Sequence, residues 1–464
     1  MDDTPRQPPI GRPAPGPLPR PQASRRALFL PALAALVAAP AVACGEQGGG
    51  PGAPAPAPSR AVTGKVLVLS YQTSSPRVDV QAALYDDFNR EYKPKGLEVE
   101  FVNPGQSVIE KVIPMHVAGT PADVWEWPRL WRELEGVIAD LSSMLRRDKI
   151  DLGQWIPESI AALKQGDKVW GTPVSISADA LAVNLDLFDA AGVPPPPQDP
   201  DDRSWTMDKF LETSRKLTKG TEQFGFGGSF TGGVAWMNGP PYFGYGPVDL
   251  QAKKITLNTP GFQQGLQFWA DMATKHHLQP YGDEADRLRA TASQHIFTTG
   301  KIGTAVIFNL AERPGFRWAI AALPYTPSPQ QPRNVSARIS VHALFVDSDS
   351  KNKDQAWEVL KYWMVPEHDA KYVLSDGHVV SPLLKGAFDL TAKDFQERMG
   401  ADPRAYFLQA QRSKVDGWHF YLLKDWAKAR TEIDPLWTNA TNGQMAVGEF
   451  ATQAQAISER LASF

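Results

Sequence analysis

Between Lys65 and Phe101 the hydrophobic period changes twice, and this constrains the possible folds more than any other feature of the chain. Lys65-Val66-Leu67-Val68-Leu69 is a short apolar run of the kind that forms a buried strand, ending at Ser70-Tyr71-Gln72. Val80, Leu84, Phe88 and Tyr92 then recur every fourth residue with Asp86, Asp87, Asn89 and Arg90 between them, which predicts one buried helical face. Pro94 and Gly96 stop that helix, and Leu97, Val99 and Phe101 alternate with Glu98 and Glu100 as a second strand. Strand, helix and strand at this spacing predict a parallel pair with a crossover helix.

The same logic extends down the chain. Thr206 is placed to cap a helix holding Phe210, Leu211 and Leu217, and Thr259-Pro260 opens one with the face Phe262, Leu266, Trp269 and Ala273. A helix from Asp354 carries Ala356, Leu360, Trp363 and Met364, and Phe450, Ala454, Ile457 and Leu461 mark a last amphipathic helix. No repeat of fixed period is present, which argues against a solenoid or propeller. The predicted class is α/β with two lobes. Open α/β sheets bind ligands beyond the carboxyl ends of their strands, so the loops there are the ones to search.

The first 61 residues are of a different kind. Residues 4–22 are proline-rich with no folding pattern, and Gly45 to Ser59 is mostly glycine, proline and alanine, too poor in apolar surface to form a core. Between them, Arg25 and Arg26 precede the apolar run Ala27 to Ala43, and Cys44, the only cysteine among 464 residues, follows directly. A lone cysteine forms no intrachain disulfide, so its position reads as an attachment point. Ser24-Arg25-Arg26-Ala27-Leu28-Phe29-Leu30 resembles a twin-arginine export signal, and Ala41-Val42-Ala43-Cys44 resembles a lipoprotein cleavage site. The resemblance implies an export signal over 1–43, lipid on Cys44 and a flexible tether over 44–61. The competing readings are an uncleaved anchor, which Pro31 and Pro40 disfavour, and cleavage without lipid.

Removing residues 1–43 takes away five basic and two acidic residues and leaves a remainder at about minus six. No basic stripe is present, so nucleic acid is not an expected partner. The histidines, including His276, His277, His295 and His419, show no metal-ligand spacing, and no cofactor or metal is expected. There is no Gly-x-Ser-x-Gly elbow, no His-Glu-x-x-His and no cysteine nucleophile after the leader, so an enzyme is not predicted. Some 400 residues exceed one ordinary core and imply two or three domains or lobes. Core packing is expected to account for more than half of the 14 tryptophans.

Two loops carry binding chemistry. Ser70 to Ser75, with Tyr71 and Gln72, follows the first strand. Trp125-Glu126-Trp127-Pro128-Arg129 offers two aromatic plates, a carboxylate and a guanidinium, which suits a flat apolar face with a polar rim. Alternation along a strand end predicts that one of the two tryptophans packs inward. The glycine-rich Phe224 to Trp236 lacks the lysine and spacing of a phosphate loop and suits close approach of backbone to a ligand.

Taken in order, several segments resemble the bacterial extracellular solute-binding proteins of ABC importers, the family that includes maltose-binding protein. They are Gly119 to Val124, Gly136 to Leu141, Asp167 to Pro173, Asn184 to Gly192 followed by prolines, Trp205-Thr206, Phe297 to Lys301 and Leu323-Pro324. Val183 stands where the family usually has tyrosine. The resemblance covers roughly residues 62–464 and implies two lobes joined by crossing hinge segments, a type II periplasmic-binding-protein fold with a ligand cleft between lobes. Lobe 1 is expected over 62–175 and 338–382, lobe 2 over 176–337 and 383–464. The resemblance places Trp127 where the family has a stacking aromatic, Ser177 and Asp179 at the first hinge, and Arg338 and His342 at the second crossing. It places Trp236, Asn309 and Trp418 on loops facing the cleft. It implies a monomeric receptor that binds a carbohydrate and hands it to the transmembrane subunits of a permease. Two alternatives stay open from residues alone: an exported carbohydrate-active hydrolase, which needs a carboxylate pair roughly 5 to 9.5 Å apart, and a sensory protein of the same fold.

Overall fold

The computed structural model describes residues 62–72, 75–128, 134, 136–228, 233–237, 239–249, 252–292, 295–307, 310, 312–327, 332–333, 339–374, 381–412, 423 and 426–462. The leader, the tether and Cys44 lie outside them.

The strands that organise the molecule are β1 (Gly64–Leu69), β2 (Leu97–Val102), β3 (Val124–Trp127), β4 (Thr172–Ala178), β5 (Ala180–Asn184), β6 (Phe224–Gly227), β7 (Ile302–Ile307), β8 (Trp318–Ala321) and β9 (Ile339–Val346). β1 and β2 pair in parallel, Val66 opposite Val99, and α1 (Ser75–Tyr92) crosses between them. The helix buries Leu84, Tyr85 and Phe88, and also Gln81, a polar residue on the apolar face. Gly96 closes the return to β2 at φ 90°, where an added Cβ would lie 2.8 Å from Thr63 Cγ2, so the turn needs glycine.

Two sheets result, in the order β2-β1-β3-β9-β4 and β8-β5-β7-β6. In the second sheet Ala180 and Ala182 of β5 enter one apolar cluster while Leu181 and Val183 enter another, so alternation buries the strand on both faces. Asp179 alone separates β4 from β5. Ile176 packs in the first core and Ala178 in the second, so the chain changes lobe within two residues. A later passage runs between Ala387, still in the first core, and Ala392, in the second. It lies beyond residue 383 because Ile156 N donates to Leu383 O and Trp155 bridges Leu384, holding that stretch on the first lobe.

Pairing directions fix which ends meet. β3 runs parallel to β1, and β9 runs antiparallel to both β3 and β4, so the carboxyl ends of β1, β3 and β4 share one edge. Ile307, the last residue of β7, pairs with Ala180, the first of β5, and β6 is parallel to β7. Both sheets therefore turn carboxyl ends toward Asp179. This is the edge at which open α/β sheets hold ligands.

The helix caps follow the sequence: Thr206 Oγ1 accepts from Lys209 N ahead of α2 (Met207–Leu217), and Thr259 caps Pro260–Thr274 through Phe262 N. More than half of the 14 tryptophans are buried. The glycine-rich stretch differs from expectation over its described start. A Cβ on Gly225 would lie 2.0 Å from the Ser214 carbonyl oxygen of α2, and one on Gly227 would lie 2.8 Å from Ile302 Cγ2. These glycines let a helix and a neighbouring strand close on β6 and leave no room there for a solute. Gly225→Ala is expected to cost at least about 2 kcal/mol in urea denaturation, because the clash is with backbone. Stability equal to the parent would remove this account of Gly225.

Candidate functional site

Tyr71 follows β1, Trp127 ends β3 and His342 lies on β9, and the three rings meet at the shared edge of the first sheet. The Tyr71 and Trp127 centroids are 4.9 Å apart with planes at 80°, and Tyr71 and His342 are 5.5 Å apart at 58°. Edge-on packing of this kind fixes the rings against one another and leaves an aromatic surface of definite shape.

Beneath them lies Glu126, fully buried. Gln81 Nε2 donates to its Oε2 at 2.7 Å, His342 Nδ1 lies 3.2 Å from Oε1, and Gln72 Nε2 also donates to Oε1. The Ser70 hydroxyl is shared between Glu126 Oε2, at 3.3 Å, and Gln81 Oε1. Burial opposes the charge on Glu126, but the hydrogen bond and charge of His342, with the two glutamine amides, outweigh it and hold the carboxyl below its usual range. Burial and then the Glu126 charge push the neighbouring Tyr85 phenol well up. A buried carboxylate kept ionised by donors from three segments is a rigid anchor for the loop above it.

The other expected site residues fall into distinct places. Tyr71, Gln72, Trp127 and His342 come together around Glu126. Trp125 is wholly buried against Phe345, with centroids 4.9 Å apart, because it points from β3 into the first core. Trp236 is also wholly buried; its Nε1 donates to Asp434 at 3.2 Å and it packs on Phe450. Neither ring is available to a solute in this conformation. Asp179 is buried at the passage between sheets and accepts from the Tyr242 hydroxyl at 3.1 Å, while Ala178 N donates to the Tyr406 hydroxyl at 3.1 Å. Two tyrosines of the second lobe thus fasten the crossing. Ser177 pairs with Ser340 through the backbone of β4 and β9. Arg129, Asn309, Arg338 and Trp418 lie outside the described residues.

From the sequence the Glu126 carboxylate belongs to the polar rim of a binding loop, whereas it lies buried beneath the rings, and Gln81 is not singled out. An acid between two tryptophans in a buried strand, and a glutamine on an apolar helical face, are the signals that point to them. Among the described residues no group of acidic, histidine or cysteine side chains is arranged to hold a metal, and no helix is long and apolar enough to cross a membrane.

Two α/β lobes joined by crossing segments, with aromatic and polar side chains at the carboxyl edge beside the crossing, define the periplasmic-binding class of receptor. Residues 74–370 match the family described as bacterial extracellular solute-binding protein, and the chain belongs to that family. Its members bind solutes outside the cytoplasm, and this chain is a binding protein rather than an enzyme. A binding protein from Brucella abortus (strain 2308) is 25% identical over 341 residues, which cover 67% of this chain and 78% of that one. Among solved structures, an ABC substrate-binding protein from Listeria monocytogenes in complex with cycloalternan superposes with a TM-score of 0.67 at 18% identity, covering 85% of this chain and 98% of that one. UgpB from Mycobacterium tuberculosis in complex with glycerophosphocholine gives 0.65 at 17%, covering 86% and 98%. At these identities the likeness shows the fold.

Proposed function

We propose that the protein is a lipid-anchored receptor that binds a carbohydrate, an oligosaccharide in the first instance, between its lobes and delivers it to an ABC permease. The observation that carries this reading is the Tyr71–Trp127–His342 surface at the edge facing the second sheet. A sugar ring has an apolar C–H face and a hydroxyl rim, and it is held by aromatic plates with amide and charged groups around them. Tyr71 and Trp127 supply the plates, and Gln72 and His342 stand beside them. Binding across both lobes favours the closed arrangement, because only a solute touching both shifts the equilibrium between open and closed forms. Cycloalternan in the Listeria protein supports the carbohydrate reading. Lipid on Cys44 and the spacer after it keep the receptor near its permease, which raises the effective concentration of one for the other.

The test is a thermal-shift screen of the purified protein with maltose, maltotetraose, mannobiose, mannotriose and glycerophosphocholine, followed by calorimetry of the best binder. A shift with a sugar supports the reading. A shift with glycerophosphocholine alone assigns the site to a different solute class. Trp127→Ala is expected to weaken binding of the best sugar at least tenfold, about 1.4 kcal/mol or more, and, because the ring is also buried against the first core, to lower the melting temperature of the free protein, so affinity is measured well below the variant's own melting temperature. Unchanged affinity removes Trp127 from the site.

A further inference from the structure

The polar side chains beneath the aromatic surface do not end at Glu126. Ser70 directly follows β1, Glu126 and His342 lie on β3 and β9, these three strands are adjacent, and the next strand, β4, places Ser175 directly opposite His342. Opposite residues of an antiparallel pair carry their side chains on one face, so Ser175 continues the row. It is fully buried and its Oγ has no hydrogen-bond partner. The register of β9 on β4 slips at this point: His342 faces Ser175 while Ala343 faces Pro173, leaving Val174 as the extra residue of a bulge. A bulge twists the strand locally and re-aims side chains. Here it sits beside the histidine that reaches Glu126, four residues before β4 passes into the second core at Ala178.

The charged and titratable groups that face Glu126 among the described residues are His342 from β9 and Tyr85 from α1, with Arg77 of α1 one step removed, its Nη1 3.5 Å from Gln72 Oε1. His342 is thus the basic side chain in direct hydrogen-bond reach of this carboxylate among the described residues, a counter-charge only when protonated, and histidine is the side chain whose charge changes near neutral pH. When the imidazole is charged, the pair is neutral and Glu126 can hold Gln72, Gln81 and Ser70 together. When the imidazole is neutral, the buried carboxylate loses the counter-charge that His342 supplies, and the arrangement that binds loop 70–72 to the sheet weakens.

We propose that Glu126 is the positioning residue of the aromatic surface, and that the proton on His342 controls how firmly loop 70–72 is held against the strand leading to the crossing. Tyr71 rides on that loop, so the surface offered to a solute is well ordered in mildly acidic surroundings and loosens as His342 loses its proton. The consequence for solute affinity rests on the receptor reading. The positioning itself does not.

The experiment therefore uses the full protein without any solute. Hydrogen–deuterium exchange of the peptides covering residues 70–72 is followed from pH 5.5 to 8.5 and divided by the intrinsic exchange rate at each pH. In the parent, protection is expected to fall at least tenfold across this range. Glu126→Gln keeps the shape but removes the charge, and is expected to have at least tenfold less protection at pH 5.5 and a flat profile. His342→Gln, which keeps a donor without the proton switch, is expected to be flat as well. A part with only a packing role would lower protection in the variants without giving the parent a pH dependence. A flat parent profile, or a Glu126→Gln profile that follows the parent, overturns the proposal. Should Glu126→Gln fail to fold, the parent and His342→Gln profiles decide the matter. Failure here leaves the sugar screen to stand or fall separately.

Discussion

Asp369→Asn is expected to raise stability at pH 8 by about 2 kcal/mol or more and to flatten the dependence of stability on pH between 4 and 7. Asp369 lies in the helix Pro366–Leu374 and is buried. Its Oδ2 accepts from Leu383 N at 2.8 Å and Leu384 N at 2.7 Å, while Oδ1 has no partner. Burial pushes the carboxyl up to about 7, with the two backbone donors only partly opposing it. The folded protein therefore binds this proton more tightly than the unfolded chain, whose carboxyl titrates near 3.8. Stability from this group is complete below the lower value and is lost as pH rises through about 7. A shift of about three units corresponds to roughly 4 kcal/mol. Asparagine keeps one oxygen for both backbone donors and carries no charge, but buries an amide group that costs about 1 to 3 kcal/mol if unpaired. Urea denaturation of parent and variant at pH 4, 5.5, 7 and 8 measures the difference. An equal decline with pH in both would show that Asp369 is not its source. Glu126 acts in the opposite sense: its lowered carboxyl contributes stability above about 4.5 that is lost as pH falls below it.

Asp123→Ala is expected to cost about 3 kcal/mol or more, with the Tyr71–Trp127–His342 surface affected only through folding. Asp123 is buried directly ahead of β3; its Oδ2 accepts from Leu67 N at 2.9 Å, and its Oδ1 from Ser350 Oγ at 2.7 Å and Asn352 Nδ2 at 3.2 Å. One carboxylate thus joins the middle of β1 to the loop ahead of the helix Lys353–Tyr362. Alanine leaves a partly buried strand N–H and two side-chain donors without their acceptor, and hydrogen bonds to a charged group contribute about 1.5 to 3 kcal/mol each. Asparagine retains one acceptor oxygen but turns a donor toward the others, so an intermediate loss is expected. The check is denaturant titration of all three proteins. A loss under about 1 kcal/mol for the alanine variant would mean that water replaces the carboxylate at little cost.

Asp123 shows how function and framework are confused at the level of sequence. Gly119 to Val124 is one of the segments that resemble the solute-binding family, and it leads into β3. Asp123 itself ties strands together. Trp125 and Trp127 make the same point two residues apart. Both are large, both suit a sugar, and sequence predicts only that one of them packs inward. The choice came from the partner strand, where Phe345 lies opposite Trp125 and Ala343 opposite Trp127. Both rings are buried in the first core; the large neighbour closes completely over Trp125, whereas the small one leaves a sliver of Trp127 exposed, with its ring against Tyr71.

Period and punctuation were legible because they are local. The strand, helix and strand from β1 to β2, the caps at Thr206 and Thr259, and the α/β class all follow from contacts within a few residues, where backbone geometry dictates the spacing. The resemblance of ordered segments carried the two-lobed fold. The tertiary structure alone decided the partners of Glu126. His342 is 216 positions away and Ser70 is 56, and no periodicity links residues at such distances. Burial settled the rest. A carboxylate enclosed by protein must gather donors from whatever strands surround it, and which strands those are depends on sheet order, a property of the folded chain.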